Sequence, residues 1–318
     1  MIRAPFCDVE YWDTWIKYTS ERIERMESLS KEPAANPSYA PQYAFQIVKM
    51  HWKLMLLRYS RGDSSADLLE SFSPLLGAWE ESQRLHLELF SIEQYRYKFD
   101  WSRNLDHYII CFWLTGLALA LEIADDQWER LVVLFGNEGK DHLLDRVIAT
   151  KQPSRAIGSV LCHPLPYERL LKVIDSTSER RASLLVDFVE SWYPELDRSP
   201  TNKKLSEDTA VYERPYWYKF GETNMEGGAY FGQWCIEAVA VVKAFGIDDQ
   251  QCVGHPQYPG DLLRPGQVTE PDLTRLPNEL RKWKEAIASK TSESADNSVA
   301  SSKDVKAQNW LNRFFSRK

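Results

Sequence analysis

The apolar run at residues 230–245 restricts what this chain can fold into more than any other stretch. Its polar side chains are only Gln233, Glu237 and Lys243. Glu237 follows Gln233 by four positions, so a helix would place the two on one face, a turn apart. A helix with so few polar positions must be buried on nearly all sides. We therefore expect a buried helix here with one carboxylate inside the core.

The residues after this run predict a sharp turn, a cap and an irregular connection. Gly246 is a typical helix-ending residue, and either Asp248 or Asp249 is placed to cap a further helical turn. Residues 256–260 contain two prolines and a glycine, which favour an irregular loop.

Helical periodicity dominates the rest of the sequence, and no stretch shows the alternation of a strand. A second apolar run, residues 108–121, is too short to cross a bilayer and predicts another core helix. Asp126 and Glu129 have the spacing of a capping box. We predict an all-α fold, a multi-helix bundle of two packed helical halves without significant sheet. The predicted helices cover residues 9–29, 43–59, 67–99 with a break near Pro74, 105–123, 126–135, 154–162, 166–174 and 178–192.

The predicted domains are an N-terminal helical half at residues 1–136, a C-terminal half at 137–289, and a tail at 290–318. The tail joins a linker of disordered composition to a basic amphipathic end, which either docks on the body or contacts a partner. A weak internal repeat aligns Asp125 and Asp126 with Asp248 and Asp249, each pair after an apolar helix. Duplication and chance similarity both explain it.

Charge is unevenly spread along the chain. The net charge is −7, and residues 301–318 hold five basic residues against one acidic, a balance of +4, so the rest carries −11. An acidic body disfavours direct nucleic-acid binding, because phosphate contacts need basic residues. It favours a partner with a basic surface, although solubility alone also explains it.

The sequence predicts a cytoplasmic protein without a membrane span. Five cysteines, an odd number, are scattered along the chain, which suits a reducing compartment. The first residues lack the apolar core of a secretory signal.

No motif predicts catalysis, a cofactor or a metal site. Residues 136–140 lack the glycine spacing and the Ser or Thr of a phosphate loop, so we interpret them as a helix end. Cys162 with His163, and Cys252 with His255, would need an unsupported tertiary contact to form a zinc site. Glu237 is interpreted as a carboxylate hydrogen-bonded by a nearby Arg, Tyr or Trp, with direct contact to a partner as the alternative.

Acidic residues beside an aromatic segment form the predicted docking surface. Aromatic side chains supply affinity and carboxylates steer a basic partner. The predicted partner-binding residues are Glu222, Glu226, Tyr216, Trp217, Glu207 and Asp208.

Three short motifs carry a resemblance to a known family. Phe-Gly-Gln-Trp at 231–234 with Glu237, Gly-Ile-Asp-Asp at 246–249, and Tyr-Pro-Gly-Asp-Leu at 258–262 resemble the C-terminal domain of the PoNi immunity proteins. The resemblance implies a non-enzymatic protein that binds a cognate nuclease toxin, often one delivered by the type VI secretion system, and occludes its active or DNA-binding site. We interpret the matching residues as fold-defining: Trp234, Glu237, Asp248, Asp249, Tyr258, Pro259, Asp261 and Leu262.

Two other hypotheses stay open. One is an all-α enzyme or small-molecule-binding protein with a pocket near Glu237 and Tyr258, lined also by Tyr230 and Trp234. The other concerns assembly, since the sequence is compatible with a homodimer.

Overall fold

The computed structural model describes residues 1–32, 36–198, 214–276 and 280–285. Across these ranges the chain is helical and contains no strand, which confirms the all-α prediction. The predicted tail at 290–318, together with Glu207 and Asp208, lies outside them. The helices are α1 (Val9–Leu29), α2 (Ala40–Arg61), α3 (Ser65–Leu69), α4 (Phe72–Leu89), α5 (Ile92–Lys98), α6 (Leu105–Ala120), α7 (Asp125–Phe135), α8 (Leu144–Ala149), α9 (Pro164–Asp175), α10 (Ser178–Glu195), α11 (Phe220–Thr223) and α12 (Ile236–Phe245).

Two halves pack around a central helix pair. In the N-terminal half α2 packs against α1 and α4, and in the C-terminal half α9 packs against α10. Helix α6 is buried along its whole length except at Asp106, and it pairs with α12. Gly116 allows their close approach, because a Cβ there would lie 2.8 Å from Cγ2 of Ile236 and 3.1 Å from Cβ of Ala240. The two most apolar runs of the sequence thus join both halves into one core.

Several predicted helix boundaries are wrong. The predicted helix 67–99 is three helices. The break expected near Pro74 occurs at residues 70–71, and Pro74 itself lies in the first turn of α4, where its missing N–H costs no hydrogen bond. The second break, at residues 90–91, was not predicted. Helix α7 begins at Asp125 and has no side-chain cap, so the capping box is absent. The supposed repeat also fails after α12, since turns follow Asp249 where a second helix was expected.

The segment before α12 is irregular although its sequence is apolar. Residues 229–235 are non-helical, so Gln233 and Glu237 do not share a helix face. Other segments satisfy the buried backbone: the Ser60 hydroxyl donates to the Phe231 carbonyl at 2.8 Å, and the Cys235 amide donates to the Gln257 carbonyl at 2.8 Å. These tertiary hydrogen bonds replace the helical ones that periodicity predicted.

Candidate functional site

Glu237 lies in the first turn of α12 and is fully buried. Its Oε1 accepts hydrogen bonds from the Tyr167 hydroxyl at 2.7 Å and from Nε1 of Trp192 at 3.3 Å. Burial raises its pKa to about 7, and the hydrogen bonds that it accepts offset only part of this effect. The carboxyl group therefore ties α12 to α9 and α10, as the interpretation of Glu237 as a hydrogen-bonded core residue expects.

Asp249 and Asp248 have different roles. Asp249 is buried, and its Oδ2 accepts hydrogen bonds from the Tyr258 hydroxyl at 2.5 Å and from Nη1 of Arg264 at 3.0 Å. Asp248 is exposed and accepts a hydrogen bond from the Gln250 amide at 3.0 Å, closing a turn. Neither aspartate caps a helix, since turns follow directly at residues 250–254.

Two of the remaining motif residues, Asp261 and Trp234, form hydrogen bonds with segments distant in sequence. The Asp261 carboxylate accepts a hydrogen bond from Nε of Arg3 at 3.1 Å and another from the Thr269 amide at 3.2 Å. Nε1 of Trp234 donates to the Ser60 hydroxyl at 2.8 Å, and Pro259 and Leu262 are buried. In the structure these side chains all make contacts within the fold.

A small cavity lies beside the Tyr258 loop. Its volume is about 20 Å³, room for roughly one water, whereas small-molecule sites usually enclose about 300 Å³ or more. Glu237 and Tyr230 do not line it, so this cavity does not support the hypothesis of a ligand pocket near Glu237. The lining includes Arg3, Tyr59, Trp234, His255, Tyr258 and Asp261.

The predicted docking residues divide by exposure. Tyr216 is 49% exposed and Glu226 is exposed, so both can meet a partner. Glu222 is half-buried and accepts a hydrogen bond from the Tyr193 hydroxyl at 2.8 Å. Trp217 is buried, with its ring 5.4 Å from that of Trp113 and 5.9 Å from that of Phe231. A contact between Trp217 and a partner is therefore excluded in this conformation.

One exposed aromatic residue near Tyr216 in the sequence was not among the predicted docking residues. Phe220 is 40% exposed and starts the short helix α11, which leads to Glu226. We define the acidic-aromatic surface as Tyr216, Phe220 and Glu226. Phe220 belongs to the aromatic segment of the sequence, but the sequence alone does not show which rings of that segment are exposed and which are buried.

Residues 151–163 form an irregular loop, although residues 154–162 were predicted to be helical. A buried cluster of charged side chains, formed by Arg155, Asp145 and Asp141, fixes the backbone of this loop. Nε of Arg155 donates to Oδ1 of Asp145 at 2.8 Å, and Oδ2 of Asp145 accepts from the Gly158 amide at 3.2 Å. Oδ2 of Asp141 accepts from the Cys162 amide at 2.8 Å, and its Oδ1 accepts from the Tyr108 hydroxyl at 2.9 Å.

The residues that the structure describes form neither a metal site nor a membrane-spanning helix. No three His, Cys, Asp or Glu side chains gather there as metal ligands. His163 is engaged elsewhere, its Nε2 with the Trp101 carbonyl at 2.8 Å and its Nδ1 with Nη1 of Arg198 at 3.0 Å. None of the described helices combines the length and the apolar character that a membrane crossing requires.

Comparisons with known proteins agree with the motif resemblance. The family model described as "PoNe immunity protein (PoNi), N-terminal" matches residues 3–133, and the model described as "PoNe immunity proteins (PoNi), C-terminal" matches residues 139–262. The crystal structure of protein PA2201 from Pseudomonas aeruginosa is similar, with a TM-score of 0.61 and 19% sequence identity over 83% of this chain and 89% of that chain. At this identity the likeness supports the fold alone. No curated protein matches.

Proposed function

Because this chain belongs to the PoNe immunity protein (PoNi) family, whose members protect against PoNe nuclease toxins, we propose that it neutralises its cognate toxin by stoichiometric binding. The bound chain would cover the active site or the DNA-binding site of the toxin. Such occlusion requires no catalysis by this protein. The toxin would be one that the type VI secretion system delivers, met in the cytoplasm of the protected cell.

The observation that carries this proposal is the net negative charge of the chain together with the exposed acidic-aromatic surface. Residues 1–300 carry a net charge of −11, and a nuclease needs a basic surface to hold its substrate. Opposite potentials accelerate encounter, and the rings of Tyr216 and Phe220 offer apolar area for contact. The buried carboxylates of Glu237 and Asp249 accept hydrogen bonds within the fold, so we do not assign them a contact with the toxin.

The test is co-expression with the nuclease encoded beside this chain, followed by measurement of cell survival and of co-purification. The wild-type chain should rescue growth and form a complex. The double variant Tyr216→Ala with Glu226→Lys should weaken the complex by about tenfold or more, because the charge reversal slows association and the loss of the ring speeds dissociation. The effect on association should become smaller at high salt. Glu129→Lys on α7 makes the same charge change at another exposed glutamate and should have little effect.

Failure of the wild-type chain to rescue growth or to co-purify would refute the proposed function. Equal weakening by Glu129→Lys would instead show that only net charge matters, and that the acidic-aromatic surface has no special role.

A further inference from the structure

The loop at residues 151–163 presents apolar side chains to solvent. Ile157 is 50% exposed and Val160 is 61% exposed, and Leu165, which follows at the start of α9, is 44% exposed. We call these three residues the apolar knob. Single exposed apolar residues are common, but here three of them occur within nine positions, two in the loop and one at the start of α9.

The loop is held rigidly although it has no regular secondary structure. The His142 amide donates to the Val160 carbonyl at 2.8 Å, and Nδ1 of His142 lies 2.8 Å from the Gly158 carbonyl oxygen. Gly158 also donates its amide to Asp145, so both of its backbone polar groups are fixed. A Cβ at Gly158 would lie only 2.5 Å from the Asp141 amide nitrogen. The backbone beneath the knob therefore has one tightly specified position.

The ionic cluster that fixes the loop is costly. The side chains of Arg155 and Asp145 are 2% and 0% exposed, and burying such a pair stabilises a fold no more than apolar residues of the same size would. What the cluster adds is a defined loop conformation. A preformed loop binds its partner without the entropic cost of ordering, which is the usual advantage of preorganised contact residues.

The knob and the acidic-aromatic surface flank the same part of the fold, the start of α6. His163, at the end of the loop, donates to the Trp101 carbonyl just before α6. Tyr216 donates its amide to Oδ1 of Asp106 in the first turn of α6 at 3.0 Å. One partner seated over the start of α6 would meet both features.

We propose that the apolar knob is a preformed second contact for the same basic toxin that the acidic-aromatic surface attracts. This inference rests on the proposed function. Charge selects the occupant: a second copy of this chain would bring another strongly acidic body to the site, whereas a basic protein is attracted. The carboxylates would then set the rate of association, and the knob, once desolvated, would slow dissociation.

The experiment measures association and dissociation rates of the purified full-length chain with the catalytically inactivated toxin. The double variant Ile157→Ser with Val160→Ser should raise the dissociation rate by about tenfold while leaving the association rate and its salt dependence nearly unchanged. Its thermal unfolding should match that of the wild type, because both side chains are exposed. Val133→Ser is the matched control, since Val133 on α7 is 70% exposed and lies outside the knob.

A second variant tests the preformed conformation. Gly158→Ala keeps every apolar side chain but forces the loop away from Asp141, so it should also raise the dissociation rate. Unchanged dissociation of the Ile157→Ser and Val160→Ser variant from a toxin that the wild type binds would overturn the inference and leave the proposed function standing. If the variant loses only self-association, the knob belongs to a homodimer interface. That result would also overturn the inference and leave the proposed function standing. No binding by the wild type would remove the proposed function itself.

Discussion

Replacing Glu237 by glutamine tests whether its carboxyl group is a core component whose charge opposes folding. The side chain is fully buried, and burial raises its pKa from 4.5 to about 7. Between these two pH values the unfolded chain has released this proton while the folded chain still holds it. The stability of the wild type must therefore fall as the pH rises through this window.

The magnitude follows from the shift. At about 1.4 kcal/mol per pKa unit, linkage gives a loss of about 2 to 3 kcal/mol in the free energy of unfolding between about pH 5 and about pH 8. Glutamine keeps an oxygen for the Tyr167 hydroxyl and for Trp192 but cannot ionise. At about pH 5 the variant and the wild type should have similar stability. At about pH 8 the variant should be more stable by about 2 to 3 kcal/mol.

The assay is urea unfolding of both proteins across this pH range, followed by far-ultraviolet circular dichroism. Tyr167→Phe is the companion variant: it removes a donor to the charged carboxylate, so its penalty should increase with pH, and this increase should vanish in the Glu237→Gln background. A difference between Glu237→Gln and the wild type that does not vary with pH would refute the reasoning. Loss of toxin neutralisation by a stable Glu237→Gln protein would also contradict a purely structural role.

Two further substitutions probe the contacts that fix the irregular segments. Arg155→Met leaves the Asp145 carboxylate buried without its cation, so it should lower the free energy of unfolding, measured with urea at neutral pH, by about 3 to 5 kcal/mol. Adding Asp145→Asn should restore part of this loss. Equal penalties for the single and double variants would contradict the pairing. Ser60→Ala removes the acceptor of Trp234 Nε1 and should cost about 1 to 3 kcal/mol, whereas a neutral result would mean that the indole finds another partner.

Amphipathic helices were the part of the fold most accessible from sequence. The predicted helix 9–29 coincides with α1, because its apolar residues recur at helical spacing and Asp8 supplies a cap that accepts the Tyr11 amide. Helix α10 was placed nearly as well. In both cases the local pattern and the tertiary burial agree, so a local rule is sufficient.

Irregular buried segments could not be predicted in this way. Residues 229–235 are as apolar as α12, yet Gly232 adopts a φ of +97°, and a Cβ there would lie 1.9 Å from Nε1 of Trp234. Residues 154–162 have no helix because Asp141 and Asp145, more than ten positions upstream, bind their backbone amides. Hydrogen bonds between segments distant in sequence decide both conformations, and hydrophobic periodicity contains no information about them.

The family motifs and the proposed binding surface are separate for a physical reason. Tyr258 and Asp249 form a short buried hydrogen bond, and Asp261 holds Arg3 from the other end of the chain, so a change at any of these positions would leave a buried polar group without a partner. Such residues cannot change freely to follow a partner. Exposed side chains such as Tyr216, Glu226 and Ile157 can be replaced at little cost to folding. A fold that confines its recognisable motifs to the core thereby leaves its surface positions free to vary, and this is why the motifs identify the family but not the toxin of the proposal.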